Sequence, residues 1–149
     1  MHGYAELVCT TNFTFLTGAS HPEELVDQAR AHGYAALAIT DECSLAGVVK
    51  AYAEHKDNPG DLKLIIGSRF WLQHDDDADA EPLQLVLLAP DREAYAELST
   101  LITLGRRRCG KGDYHLTLND VRTHIHRCLG LLLPEDISPG FEQGARELT

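Results

Sequence analysis

The chain has 149 residues, and its 44% apolar content is enough for one compact domain with its own core. Its 23 acidic and 13 basic side chains give a net charge of −10, which argues against a surface that follows a nucleic-acid backbone along its whole length. No stretch reaches the roughly 20 apolar residues of a membrane span, and the first residues do not resemble a secretory leader, so we expect a soluble, cytoplasmic protein without membrane contacts.

Short apolar runs alternate with helical patterns in the first part of the chain. Ala5–Cys9 predicts a strand, and Ser20–Glu23 has the spacing of a capping box that opens a helix closed by Gly33. Ala36–Thr40 predicts a second strand, and Ser44–Lys56 predicts the helix behind it. This order of elements indicates β-α units around a parallel sheet.

The alternation continues in the second part of the chain. Lys63–Gln73 predicts a third strand because it is rich in β-branched and aromatic residues. The acidic stretch His74–Glu81 predicts a solvated loop that joins this strand to the next as a hairpin. The further elements expected are a strand over Leu83–Leu88, a helix over Asp91–Arg108, a short helix around Leu118–His124 and a strand over Cys128–Leu133. Residues 136–149 have little apolar pattern, so we expect a domain over 1–135 followed by a tail or a truncated continuation.

Side chains that could do chemistry are expected where the parallel strands end. Asp41 and Glu42 follow the second strand, and Arg69 lies in the third. A hydrolytic metal site needs several His and carboxylate ligands, and a guanidinium cannot ligate a metal. We therefore favour the interpretation in which Asp41 caps the following turn or accepts backbone N–H groups. Two alternatives stay open: Arg69 pairs with Asp41 or Glu42, or Asp41 and Glu42 bind a metal.

Two other patterns are weak candidates for metal ligands. Four cysteines are scattered without a C-x-x-C pair, which predicts reduced, mostly buried thiols. His124 and His126 form a His-x-His pattern, but they precede a strand in a polar, helix-like segment, which predicts a solvated face.

Three stretches carry a resemblance to a known family. They are YAELVCTTNFTFLTGASHPEELVDQARAHGYAALAITDECSLAGVVKAY, LIIGSRFWL and LQLVLLAPDREAYAELSTLITLGRRR. In this order they resemble the N-terminal polymerase-and-histidinol-phosphatase (PHP) domain of bacterial DNA polymerase III alpha subunits, and most closely the error-prone, ImuC-type branch. The resemblance spans about residues 4–134. It implies an α/β fold that is part of a PHP-type distorted (βα)7 barrel, with a mostly parallel sheet and flanking helices.

The resemblance also implies which positions hold the metal ligands of intact family members. In the family these ligands are a His-x-His motif, an aspartate further along its loop, the Asp and His of a turn, the Glu of a G-x-E motif and a His on the fourth strand. Seven positions of this chain correspond to them. They are Val8, Thr10, Thr17, Asp41, Glu42, Arg69 and Gln84. Only Asp41 keeps the family's own residue. The resemblance therefore implies a degenerate site without a metal, where intact members hold zinc or manganese, and no catalytic residue in this segment.

The basic run Arg106, Arg107 and Arg108, together with Lys111, has two interpretations. These side chains could contact a phosphate backbone or a protein partner. Alternatively, they only favour the C-terminal end of their helix by opposing its dipole.

By resemblance, the full protein is an error-prone translesion DNA polymerase with magnesium in a downstream polymerase site. The expected partners are the downstream polymerase domains, DNA through the full protein, and a sliding clamp or translesion accessory proteins. This segment alone is expected to be catalytically silent, with a structural or partner-docking role. The alternative is a PHP-type metal-dependent phosphoesterase or 3'-5' exonuclease domain that retains weak activity.

Overall fold

The computed structural model describes residues 3–77, 79–134 and 139–148. Its five strands and five helices within these residues are β1 (Ala5–Cys9), α1 (Pro22–Ala31), β2 (Ala36–Ile39), α2 (Val48–Asp57), β3 (Lys63–Leu72), β4 (Leu83–Ala89), α3 (Arg92–Arg107), α4 (Leu118–His124), β5 (Leu129–Leu133) and α5 (Pro139–Glu147). The strands form one sheet in the order β1-β2-β3-β4-β5. The chain divides into two compact units, residues 1–68 and residues 69–149. The expected α/β fold with flanking helices is confirmed.

The first unit is built on parallel strands. β1 pairs with β2, and β2 pairs with β3, both in parallel. Helices α1 and α2 pack against each other, and the buried apolar core consists of Val26, Ala29, Leu37, Ile39, Ala51 and Leu62. Burial of one such valine or leucine side chain is worth about 1.5–3 kcal/mol. This core fixes the ends of β1 and β2, where the candidate site lies.

Helix α1 begins one residue later than predicted, because its N-cap is one position after Ser20. Its N-cap is His21, whose backbone N–H donates to Glu24 Oε2 at 2.9 Å. The predicted box from Ser20 to Glu23 was therefore wrong by one position. The reason is Pro22, which has a fixed φ suited to the first helical turn and keeps His21 extended, at ψ 149°. The helix ends before Gly33, as predicted, with Gly33 in the left-handed region at φ 68°.

Helix α2 begins at Val48, four residues after the predicted start at Ser44. The intervening backbone makes polar contacts outside the helix. Ser44 N–H donates to Ser68 Oγ at 3.1 Å, and Ala46 N–H donates to Ser44 Oγ at 3.1 Å. Cys43 is in the left-handed region, at φ 43°, which a helix does not allow. Residues 41–47 therefore form a loop after β2.

The second unit contains the antiparallel pair β4 and β5, with helices α3 and α4. Helix α3 lies within one residue of the predicted bounds at each end, with Asp91 and Arg108 as its caps. Asp91 Oδ1 accepts the Ala94 N–H at 2.8 Å and so caps the first turn. Gly105 lets the backbone of this helix lie close to the Leu116 side chain, because a Cβ on Gly105 would be 2.7 Å from Leu116 Cγ. The fully buried apolar side chains of this unit include Phe70, Leu72, Val86, Leu98, Leu101, Leu116 and Leu118.

The segment predicted to be a tail contains a helix. Helix α5 occupies Pro139–Glu147, whereas residues 136–138 and 149 lie outside the described part of the chain. A Cβ on Gly144 would collide with the Leu83 side chain, so this helix lies against β4. The domain boundary at residue 135 stays a prediction.

In the residues that the structure describes, no helix combines the length and apolarity required to cross a membrane.

Candidate functional site

The loop between β1 and α1, residues 11–18, is folded on itself. Thr14 N–H donates to Thr11 O, and Gly18 N–H donates to Thr14 O, both at 3.0 Å. The entry and exit of the loop are joined by the Asn12 N–H, which donates to Ser20 O at 2.9 Å. We call residues 11–18 the threonine loop. Its fold turns the side chains of Thr11 and Thr14 inward, and both are buried.

The carboxylate of Asp41 lies beneath this loop, immediately after β2. Asp41 is only 1% exposed. Its Oδ1 accepts the Thr11 N–H at 2.8 Å and the Thr14 hydroxyl at 2.7 Å, and its Oδ2 accepts the Thr11 hydroxyl at 2.8 Å. The interpretation in which Asp41 accepts backbone N–H groups is therefore confirmed. Three donors from one loop satisfy a buried charge that would be costly without them.

Further hydroxyl groups join the ends of the strands. The Ser68 hydroxyl donates to the Asp41 carbonyl at 2.7 Å. Thr40 Oγ1 accepts the Cys9 N–H at 2.9 Å, and the Glu42 N–H donates to Thr14 Oγ1 at 3.0 Å. These contacts connect β1, β2 and the threonine loop through neutral side chains. A buried network whose members are all satisfied makes a region rigid.

Gly47, just before α2, lies against the same carboxylate. A Cβ at this position would lie 2.7 Å from Asp41 Oδ2 and 3.0 Å from Thr11 Oγ1. The space on this side of Asp41 is therefore closed by backbone.

The other positions taken from the family's ligand pattern lie in different surroundings. Val8 and Thr10 are half-buried at the end of β1, and Thr17 is exposed on the threonine loop. Glu42 is half-buried next to Asp41; Arg69 in β3 and Gln84 in β4 are also half-buried. The pairing of Arg69 with Asp41 or Glu42 stays a prediction.

Thr11 and Thr14 are the partners of Asp41 that the ligand pattern did not include. Burial excludes a nucleophilic role for Thr11, since its hydroxyl is inaccessible to solvent and a substrate could not reach it. No local signal in the sequence identifies the two threonines, since they lie 30 and 27 positions from Asp41.

The residues present do not fit a divalent metal. Across residues 3–77, 79–134 and 139–148 there is no group of three or more His, Cys, Asp or Glu side chains that could hold one. Both Asp41 oxygens already accept hydrogen bonds. Burial, and then the charges of Glu6 and Asp41, raise the pKa of the Cys9 thiol to about 11, so it stays protonated at neutral pH. We therefore assign no hydrolytic step to this site.

The His-x-His pattern does not form a metal site either. His124 Nδ1 lies 2.9 Å from Asp120 O, and His126 Nε2 lies 3.1 Å from Thr123 O. Each ring is thus engaged with a nearby backbone carbonyl. The four cysteines are free thiols, as predicted, although only Cys43 is fully buried.

Two arginines of the basic run hold the segment that follows α3. Arg106 Nη1 donates to Gly112 O at 2.8 Å, and its guanidinium lies 5.3 Å from the centre of the Tyr114 ring. Arg108 donates through both terminal nitrogens to the Asp120 carboxylate, with Nη2 2.8 Å from Oδ1. Contact of the run with phosphate stays a prediction, and its best remaining candidates are the exposed Arg107 and Lys111.

Replacing Arg108 with alanine is expected to lower the free energy of unfolding by about 1–2 kcal/mol, because the largely buried Asp120 carboxylate would lose its charged partner. Arg107→Ala serves as the matched control and should change it by no more than about 0.5 kcal/mol. Urea denaturation of both variants measures the difference. Equal values for the two variants would contradict the role assigned to Arg108.

The same pair predicts a dependence on pH. Burial raises the pKa of Asp120, but the hydrogen bonds from Arg108 and the Thr117 backbone outweigh burial and hold it below the ordinary 3.8. A carboxyl whose pKa is lowered by folding stabilises the protein above its unfolded pKa, and this stabilisation disappears as the pH falls through the folded pKa. The difference between the Arg108→Ala variant and the original protein should therefore be largest at neutral pH and shrink below about pH 4.

Comparison with known families and relatives gives a consistent result. A model of the PHP domain family matches residues 6–130. An error-prone DNA polymerase of Bordetella parapertussis is 55% identical over 141 residues, which cover 89% of this chain and 13% of the relative. Relatives of the same name from Vibrio vulnificus and Methylococcus capsulatus are 54% and 52% identical, over 88% and 95% of this chain. The chain therefore spans only about an eighth of the length of these relatives.

Two solved structures share the fold. A proposed metal-dependent phosphoesterase from Bifidobacterium adolescentis has a TM-score of 0.55 and 24% identity, covering 70% of this chain and 34% of its own. An amidohydrolase from Chromobacterium violaceum, with bound sulfate and no metal, has a TM-score of 0.54 and 22% identity, covering 69% of this chain and 33% of its own. At these identities the likeness shows the fold alone.

Proposed function

Because this chain belongs to the PHP domain family, we propose that it is a metal-free structural domain of an error-prone DNA polymerase. The observation that carries this proposal is the state of the Asp41 carboxylate. In a metal site its oxygens would face a cation, whereas here they accept hydrogen bonds from Thr11 and Thr14. Asp41, the residue that the family pattern retains, is thus hydrogen-bonded to the protein itself and holds its structure.

In this proposal the former ligand position stabilises the loop instead of binding substrate. Asp41 holds the threonine loop on the ends of β1 and β2, and the domain supports the polymerase body or docks its partners. The polymerase acts on DNA through its other domains. Its contact with a sliding clamp or translesion accessory proteins, its cytoplasmic location and magnesium in its polymerase site belong to the same proposal.

The second candidate function is a weak metal-dependent phosphoesterase or exonuclease. The observation in its favour is the fold likeness to a proposed metal-dependent phosphoesterase. Its chemistry would need two to three ligands per metal. In the described part of the chain no such group assembles, which supports the metal-free proposal. We propose that this domain binds neither zinc nor manganese.

Metal titration of the purified protein tests the proposal. We expect substoichiometric zinc and manganese by mass spectrometry, no shift of the melting temperature on adding either ion, and no phosphatase activity that chelation removes. A binding site filled at about 100 times its Kd would add about 2.7 kcal/mol, a gain of several degrees that the melt would detect. A stoichiometric ion together with chelation-sensitive hydrolysis would establish the phosphoesterase function instead.

A further inference from the structure

The threonine loop displays large apolar side chains to solvent. Phe13 is 42% exposed, Phe15 is 83% exposed and Leu16 is 92% exposed. Single exposed apolar residues are common on protein surfaces, but three within four positions of one tight loop form a patch. We call Phe13, Phe15 and Leu16 the apolar knob.

The apolar knob is held in a fixed conformation. Leu16 has a φ of 63°, in the left-handed region that non-glycine residues seldom adopt. The turns from Thr11 to Gly18 keep it there, and Thr11 and Thr14 are hydrogen-bonded to the buried Asp41. A backbone that is ordered before binding loses less conformational entropy when a partner covers the loop. The loop therefore has the preorganisation of a binding element.

The composition around the knob favours an apolar protein partner. Residues 10–20, TTNFTFLTGAS, contain no charged side chain, although 24% of the whole chain is charged. Depletion of charge and enrichment of aromatic residues are typical of the centre of protein interfaces. A phosphate backbone, by contrast, would be recognised by cations, which this segment lacks.

We propose that Phe15 and Leu16 insert into an apolar pocket of the remaining polypeptide of the full-length polymerase. This inference rests on the proposed function. The matched region is only 12–13% of the length of the relatives, so most of such a polymerase is available as the covering surface. Within one polypeptide the effective concentration is high, and two anchoring side chains are enough to maintain the contact.

A second exposed apolar pair in the same unit provides a matched control. Val49 and Tyr52 on α2 are 74% and 55% exposed, but Lys50 and Lys56 lie on the same short helix. This pair is also exposed, but it lies on a regular helix with charged neighbours. It lacks the uncharged surroundings of the knob.

Photo-crosslinking in the full-length polymerase tests the contact. A photoreactive phenylalanine analogue replaces Phe15 in one protein and Tyr52 in the other, and the crosslinked peptides are identified by mass spectrometry. We expect position 15 to crosslink within its own chain to a segment outside the residues described here, and position 52 not to do so. Crosslinks from position 15 only to the domain itself, to a second copy, to an accessory protein or to nothing would each overturn the proposal.

Hydrogen exchange in the full-length polymerase provides a second measurement. The double variant Phe15→Ser with Leu16→Asn removes the apolar anchors, and asparagine tolerates the left-handed backbone. We expect exchange in the crosslinked segment to accelerate about tenfold or more, a loss of about 1.4 kcal/mol of protection, and Val49→Ser with Tyr52→Ser to leave it unchanged. Equal effects of the two double variants would overturn the proposal. If the docking fails while the protein remains metal-free, only this inference falls; a bound metal with hydrolysis would refute the proposed function itself.

Discussion

Asp41→Ala is expected to lower the free energy of unfolding by about 3–5 kcal/mol, one of the two largest effects in this protein. The substitution leaves the Thr11 N–H and the hydroxyls of Thr11 and Thr14 facing a space where no acceptor remains. The threonine loop would also lose the group that holds it on β2. Urea denaturation followed by circular dichroism measures the change, and Asp61→Ala, at an exposed aspartate, is the control with an expected change within about 0.5 kcal/mol.

Asp41→Asn separates this structural role from metal binding. The asparagine oxygen can replace Oδ1 and accept from Thr11 N–H and Thr14, while its amide donates to Thr11 Oγ1 after that hydroxyl rotates. We expect a loss of only about 1 kcal/mol, because charge-assisted hydrogen bonds become neutral ones. If Asp41→Asn were as damaging as Asp41→Ala, or if added zinc stabilised the original protein but neither variant, the hydrogen-bonded role would be wrong.

Gly18→Ala is the second substitution with a large expected effect, about 3 kcal/mol or more. A Cβ on Gly18 would collide with the carbonyl carbon and oxygen of Thr11. These are backbone atoms of the threonine loop, so they cannot move aside by changing a rotamer. The loop would have to open, and the Gly18 N–H would lose its bond to Thr14 O.

The control for this substitution is Gly110→Ala. A Cβ on Gly110 would meet nothing within 4 Å. We expect its midpoint of urea denaturation to match that of the original protein, whereas Gly18→Ala should unfold at clearly lower urea or fail to fold. Equal midpoints for the two alanine variants would show that the loop is less tightly closed than the structure describes.

The sequence predicted elements well where a local signal marks both ends. Helix α3 is the clearest case, since Asp91 caps its first turn and basic residues occupy its last. The predicted start of helix α1 was wrong by one residue, because Pro22, and not Ser20, determines the first turn. Helix α2 starts late because contacts of Ser44 with Ser68, 24 positions away, outweigh its local helical pattern. Helix α5 was not predicted, because few apolar residues mark its face.

The candidate site was only partly predictable, for a related reason. That Val8, Thr10 and Arg69 occupy former ligand positions is implied by the resemblance of the sequence and stays a prediction. The hydrogen bonds to Asp41 are not predictable in this way, because Thr11 and Thr14 reach Asp41 across 30 and 27 positions, and no short-range pattern encodes these contacts. The basic run was equally ambiguous, since the ion pair of Arg108 depends on Asp120 twelve positions later. Hydrogen bonds between distant segments follow from the fold, not from local spacing.

The closed surroundings of Asp41 also bear on any attempt to engineer a metal centre into this protein. Replacing Val8 or Thr10 with histidine would add one imidazole at the end of β1, while both oxygens of the Asp41 carboxylate already accept hydrogen bonds. A cation could enter only if Thr11 and Thr14 were replaced as well and Gly47 moved outward to make room. An engineered metal centre would thus need several simultaneous substitutions, and each of them made alone would weaken the scaffold without yielding a usable centre.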